Sequence, residues 1–245
     1  MLTVNEAGKG ETAILPDRTR GDPKHADVFA DLLRERYSCR GFLPAPVPRQ
    51  TIEAITEIAQ RTASWCNSQP WQVSLLSGAA TDRVRGRLLQ HAHDVPQPDF
   101  AWPLAFNGVY RDRRRECGLQ LYKSVGVARG DEQGAERQRL ENFRFFGAPH
   151  VAIVSTDRDL GIYGAIDCGA YVGNFVLAAR SLGVAAIAQA ALAAYPEFWR
   201  EHLGLAGDRL VVCGISFGFE DRAHPANQFR TLRAPTSEVV DWVDV

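Results

Sequence analysis

Residues 163–182 form the most apolar helical stretch of the chain, and small residues punctuate it at Gly164, Gly169, Ala170, Gly173, Ala178 and Ala179. A helix that is apolar on every side must be covered on every side, and small residues let a second helix approach closely. The stretch therefore predicts a buried helix at the centre of a subunit interface. Gly183 follows as its C-cap. On either side lie runs rich in β-branched residues, His150 to Ser155 and Asp208 to Phe219, which predict two buried strands. A short strand is expected over Val184 to Ile187, and Pro196 opens a helix through Leu203. The 245 residues suit one large domain or two small ones, and no shift in composition argues for two.

One stretch fits neither core nor ordinary loop: Ser64-Trp65-Cys66-Asn67-Ser68-Gln69-Pro70-Trp71. It sits between a helix over Pro48 to Ala63 and a strand over Trp71 to Ser77. Pro70 biases Gln69 toward extended backbone, so Asn67 and Gln69 are expected to point the same way. Two adjacent primary amides can both donate and accept. They suit a planar ligand edge that alternates acceptor, donor and acceptor, as the pyrimidine end of a flavin does. Alternatively, the amides satisfy their own loop and the tryptophans plug the core.

A helix over Ala26 to Tyr37 runs directly into Arg36-Tyr37-Ser38-Cys39-Arg40. In extended backbone, Arg36, Ser38 and Arg40 share one side, chemistry suited to a phosphate. The alternative is a solvated basic turn at a helix end, which position alone favours. Further helices are expected over Ala79 to His93 and, in two pieces broken near Gly126 to Gly134, over Phe106 to Phe146. Between them lies an aromatic, proline-rich loop with Phe100 and Trp102. Phe143, Phe145 and Phe146 read first as core and second as a lid over a planar ligand. Ala188-Gln189-Ala190-Ala191 has side chains small enough to leave backbone N–H groups open to a ligand, or is a plain turn.

Charge and cysteines restrict the function classes. The net charge of -1, with mixed signs along the chain, gives no basic face for nucleic acid. The five cysteines are scattered without a C-x-x-C pair, which argues against a disulfide framework or a zinc site. His91 and His93 point to different sides of a helix, so no metal is expected. Residues 1–23 are polar and read as a mobile arm before a single domain over 24–245. No apolar leader and no membrane-length run are evident, so a cytoplasmic location is expected.

Taken in order, Arg36-Tyr37-Ser38-Cys39-Arg40, Asn67-Ser68-Gln69-Pro70-Trp71, Leu182-Gly183 through Ala191, and Arg233-Ala234-Pro235 resemble the FMN-dependent nitroreductase family. The resemblance spans roughly residues 27–243. It implies an α+β fold whose central, mainly antiparallel sheet is enclosed by helices, built as an intertwined homodimer with each C-terminal segment reaching onto the partner. It also implies two FMN sites at the dimer interface. Arg36, Ser38, Arg40 and Arg233 would hold the phosphate and ribityl groups. Ser64, Trp65, Asn67 and Gln69 would approach the ring from the other subunit, and Ala188, Gln189, Ala190 and Ala191 would offer backbone amides to it. Phe100, Trp102, Phe143 and Phe146 are the expected pocket wall.

The implied activity is ping-pong transfer of electrons from NAD(P)H through FMN to a nitroaromatic or quinone-type acceptor, the chemistry being chiefly the cofactor's. A specialised flavoenzyme on the same fold, performing dehalogenation, flavin cleavage or heterocycle oxidation, is a second reading. A non-catalytic FMN carrier or sensor is a third. Many members have Pro, an acidic residue and Gly where this chain has Ala188, Ala190 and Ala191, and Lys in place of Thr231. Loss of the acidic group implies altered flavin electronics or nicotinamide contact, and Arg230 is the expected substitute for the missing lysine.

Overall fold

The computed structural model describes residues 22–243; the expected N-terminal arm lies, but for its last two residues, outside them. Asp22 accepts a hydrogen bond from the Lys24 N–H, capping α1 (Pro23–Glu35). There follow α2 (Arg49–Ala59), β1 (Gln72–Ser77), α3 (Ala79–His91), α4 (Gly108–Ser124), α5 (Glu132–Leu140), β2 (His150–Asp157), α6 (Gly161–Ser181), β3 (Ala185–Gln189), α7 (Pro196–Leu203) and β4 (Arg209–Gly218). The strands form one antiparallel sheet in the order β1-β2-β4-β3. The fold is α+β, as the resemblance implies.

The sheet is covered on both faces, which explains why β2 reads as a continuous apolar run rather than an alternating one. Val151 and Ile153 point into a core shared with Phe145, Leu192 and Trp199. Their neighbours Ala152 and Val154 point into another, shared with Ile55, Phe175 and Phe217. The second core lies under α6, and at Gly164 there is no room for a side chain. A Cβ there would meet Thr156 Oγ1 at 2.4 Å and Leu160 Cβ at 2.9 Å. Gly183, at φ +75°, closes the helix in the left-handed conformation expected of its C-cap.

Only one side of α6 is buried in the chain. Gly164, Cys168, Tyr171, Phe175, Ala178 and Ala179 face inward, while Ile162, Tyr163 and Ile166 are exposed. Contrary to the expectation that no run reaches membrane length, residues Arg158–Ser181 are long and apolar enough to cross a bilayer, the one such segment among those described. Its inner side nevertheless packs on the sheet.

His150, at the start of β2, is 2 % exposed. Its Nε2 accepts the Val47 N–H at 2.9 Å, so the ring proton sits on Nδ1, which lies 2.9 Å from Ser77 Oγ. Burial pushes the imidazole pKa below its ordinary value. A base with a depressed folded pKa binds fewer protons folded than unfolded, so its stability contribution is complete above about pH 6.5 and is lost as pH falls through the folded value. His150→Gln can keep both hydrogen bonds without titrating. Urea midpoints should fall less between pH 7 and pH 5 in His150→Gln than in the wild type; equal slopes would rule out His150 as the source.

Candidate functional site

At the end of α1 the chain leaves the helix at Arg36 (φ -66°, ψ 128°) and runs extended. Ser38 pairs with Ala186 in a parallel bridge, and the Cys39 N–H donates to the Ala186 carbonyl at 3.3 Å. Cys39 is buried in the core, so the alternation turns Arg36, Ser38 and Arg40 the other way. The tail supplies the remaining wall. Buried Asn227 accepts the Arg40 N–H at 2.8 Å and donates to the carbonyls of Gly41 and Asp221, which brings residues 229–233 alongside.

Arg36, Ser38, Arg40, Arg230 and Arg233 thus line one groove of about 370 Å³. Arg230 lies with its guanidinium 3.6 Å from the centre of the Tyr37 ring. Among the described residues, the guanidinium groups of Arg40 and Arg233 donate only to oxygens of their own segments. Among the described residues, none of the four arginines has a carboxylate within ion-pair distance. Burial, followed by the neighbouring Arg233, holds Arg36 below its ordinary pKa, and burial does the same to Arg40. Concentrated, partly desolvated positive charge of this kind is chemically suited to an anion.

Two residues beyond the Ser38 bridge, β3 reaches Ala188 and then Gln189, and a short 3₁₀ turn over Ala190–Ala193 follows. Along the strand direction, Ala188 to Ala190 therefore lie roughly 7–13 Å from the bridge. Ala188 and Ala190 are exposed and Ala191 is half-buried. Gln189 is different. Its side chain is 3 % exposed, accepts from Ser216 Oγ and donates to the Asn142 carbonyl at 3.0 Å, so only its backbone can face a ligand.

The Ser64 to Trp71 loop departs from its expected geometry. Residues Trp65–Asn67 form a 3₁₀ turn, and Cys66, Asn67 and Gln69 all have positive φ (52°, 55° and 48°). Pro70 disfavours right-handed helix at Gln69, but the turn's own hydrogen bonds choose left-handed over extended backbone. Ser64 Oγ accepts the Gln69 N–H at 2.9 Å, the Ser64 carbonyl accepts the Asn67 N–H, and Asp167 on α6 accepts the Trp65 N–H at 3.1 Å. The two amides meet all the same, with Gln69 Nε2 3.2 Å from Asn67 Oδ1. Asn67 and Gln69 border a separate open groove beside Gln60 and Tyr171. Trp65 is exposed, its ring 4.8 Å from that of Tyr163.

Within one chain the basic groove and the amide loop therefore do not share a cavity. The expected pocket wall also divides. Phe143 and Phe146 are core residues, 3 % and 6 % exposed, the former packed against Tyr195. Both follow the end of α5, with a tight turn at Phe145 and Phe146 (φ 58° and 52°), and Phe146 also borders a groove with Arg40 and His224. Phe100 is half-buried and Trp102 exposed, on a loop that Asp99 fastens to Arg200. Sequence reading missed Gln60, Asp167, Asn227 and Arg209, whose guanidinium donates to the Pro70 carbonyl at 3.1 Å; they hold the site segments in place, and nothing in their local pattern marks them.

A family model described as the nitroreductase family matches residues 33–219. The chain is 36% identical over 215 residues to nitroreductase NfnB of Mycolicibacterium smegmatis, covering 87% of this chain and 92% of that protein. It is 33% identical over 228 residues to a 4-nitrobenzoate reductase of a Nocardioides species, covering 89% and 90%. Among solved structures, it resembles the FMN-dependent nitroreductase NfnB from Mycobacterium smegmatis in complex with NADPH, with a TM-score of 0.86 at 35% identity, covering 90% of this chain and all of that one. With the basic groove, the amide loop and the sheet all lying inside or beside the matched span, the chain belongs to the nitroreductase family.

Proposed function

We propose that this protein is an FMN-dependent reductase that uses NAD(P)H to reduce nitroaromatic compounds, acting as a homodimer. The observation that carries the reading is the groove in which Arg36, Arg40, Arg230 and Arg233 converge without a carboxylate, a short strand's length from small residues 188–191. A phosphate fits the first and a planar ring approached by backbone fits the second. FMN bound there would supply the relay of two electrons from nicotinamide to nitro group. The chain's own part is to neutralise the phosphate through the arginines and Ser38, to let the ring lie against Ala188 and Ala190, and to shape the entrance with Phe100 and Trp102. The names of the two curated relatives given above, a nitroreductase and a 4-nitrobenzoate reductase, support the acceptor class.

Dimerisation follows from what a single chain leaves uncovered. Neither α1 nor α4 buries any residue, α6 exposes Ile162, Tyr163 and Ile166, and Trp242 in the tail is 85 % exposed. Apolar exposure on this scale marks an association surface. A second copy covering it would also bring an amide loop to a basic groove that lacks one in its own chain. The test is an anaerobic absorbance spectrum of the purified protein, with sedimentation velocity on the same sample. Bound flavin that bleaches with NADH or NADPH and returns with 4-nitrobenzoate, in a particle of twice the chain mass, is the expected result. No flavin uptake from added FMN would overturn the cofactor reading, and a monomer retaining full turnover would overturn the dimer.

A further inference from the structure

Four side chains at the amide loop are linked in one direction. The Trp71 indole N–H donates to Gln60 Oε1 at 2.9 Å, Gln60 Nε2 donates to Gln69 Oε1 at 2.9 Å, and Gln69 Nε2 donates to Asn67 Oδ1 at 3.2 Å and to the Asn67 carbonyl at 3.3 Å. Each amide in isolation could flip, exchanging its oxygen and nitrogen. Here the ends forbid it. An indole can only donate, so Gln60 must turn its oxygen to Trp71 and its nitrogen to Gln69. A backbone carbonyl can only accept, so Gln69 must turn its nitrogen to Asn67. Both constraints give the same polarity.

We propose that Gln60 and Trp71 are positioning residues that fix the orientation of the Asn67 amide, so that its NH₂ group alone faces the groove and serves as a donor to an acceptor edge of the bound ring. The Asn67 oxygen already accepts from Gln69, while its nitrogen has no hydrogen-bond partner among the described residues, and the residue borders the groove. Gln69, whose oxygen and nitrogen are both engaged, acts through Asn67 and not as a ligand. Asn67 then selects a carbonyl oxygen or unprotonated ring nitrogen and rejects a ring N–H, which would meet it donor to donor. The pyrimidinedione end of a flavin offers such acceptors, so this inference rests on the FMN reading.

The chain of amides can be cut without disturbing the core, because Gln60 is exposed. Gln60→Leu removes both links. Gln60→Glu keeps the acceptor for Trp71 but donates to Gln69 only while its carboxyl is protonated. FMN dissociation constants should rise about 10-fold in Gln60→Leu at every pH, as expected for a lost hydrogen bond. Relative to the wild type, the dissociation constant of Gln60→Glu should be raised only about 2-fold at pH 4.5, where a glutamate of ordinary pKa is partly protonated, and approach that of the Leu variant at pH 7.5, where the carboxylate has no proton to give. A second readout needs no ligand: hydrogen exchange of the Trp71 indole N–H, whose acceptor is Gln60 Oε1, should be faster in Gln60→Leu than in the wild type and unchanged in Gln60→Glu. Wild-type affinity in Gln60→Leu with unchanged Trp71 indole exchange would overturn the relay while leaving the FMN site intact. Failure of the wild type itself to bind FMN would overturn the role toward the ring, and the exchange measurement would still decide whether Gln60 accepts from Trp71.

Discussion

Replacing Arg36 and Arg40 together by alanine should weaken FMN binding by about 10²- to 10⁴-fold, the sum of two charge-assisted contacts of about 1.5–3 kcal/mol each. The ligand-free protein should lose no stability in the exchange. Burial and the neighbouring Arg233 already depress the pKa of Arg36, and burial depresses that of Arg40, so the empty groove holds these charges at a cost. Neither side chain is paired to a carboxylate among the described residues, and the Arg40 guanidinium donates there only to the Ser38 carbonyl. The two effects have opposite signs, which separates them from simple misfolding. Thermal unfolding with and without FMN measures both: the ligand-induced rise in midpoint should disappear in the double variant, while the ligand-free midpoint stays level or increases. A ligand-free midpoint lowered by many degrees would mean that the arginines are structural, and an undiminished FMN shift would place the phosphate elsewhere.

The Arg-Tyr-Ser-Cys-Arg alternation was legible in sequence because a strand's two-residue period follows from backbone geometry alone, and Cys39 proved to be the inward partner that fixes its phase. The apolar runs at His150 and Asp208 were legible for a similar reason. The Asn67-Gln69 geometry was not. Pro70 restricts the backbone before it but does not say which permitted region is taken, and the choice rests on hydrogen bonds from Ser64 and from Asp167, which is one hundred residues away. The turn after Phe143 illustrates the same limit, since left-handed backbone at Phe145 and Phe146 is something no residue-type rule anticipates. The apolar α6 was expected to be buried all round, and in one chain it is buried on one side only. Its other side is what the sequence reading assigned to a subunit interface.

The last expectation concerns the loop that carries Phe100 and Trp102. Asp99→Ala should destabilise the protein by about 3 kcal/mol, the lower end of what losing one partner of a buried ion pair costs. Both Asp99 oxygens accept from Arg200 Nη2, at 2.7 and 2.8 Å, and Oδ2 also accepts the Val211 N–H at 2.7 Å. Each side chain of the pair is 11 % exposed. The lower end applies because Arg200 keeps a second partner, Glu197, at 2.7 Å. What the substitution leaves behind is a buried guanidinium and an unpaired N–H on β4, the two penalties that dominate such losses. Replacing both partners with apolar residues, Asp99→Leu with Arg200→Met, should therefore cost less than Asp99→Ala alone. Among the described residues, the other hydrogen bonds that hold the loop are the Gln97 N–H on the Ala194 carbonyl and the Tyr195 hydroxyl on the Asp94 carbonyl, both on its N-terminal side, while Arg114 stacks over Phe106 at 5.3 Å on the other. Freed at residue 99, Phe100 and Trp102 lose their fixed position, whereas the arginine groove is untouched. Urea unfolding, FMN titration and steady-state kinetics with 4-nitrobenzoate on Asp99→Ala should accordingly show lower stability, unchanged FMN affinity and a raised KM for the acceptor. A KM equal to that of the wild type would remove Phe100 and Trp102 from the pocket wall, and FMN affinity falling in step with KM would mean that the loop supports the cofactor rather than the acceptor.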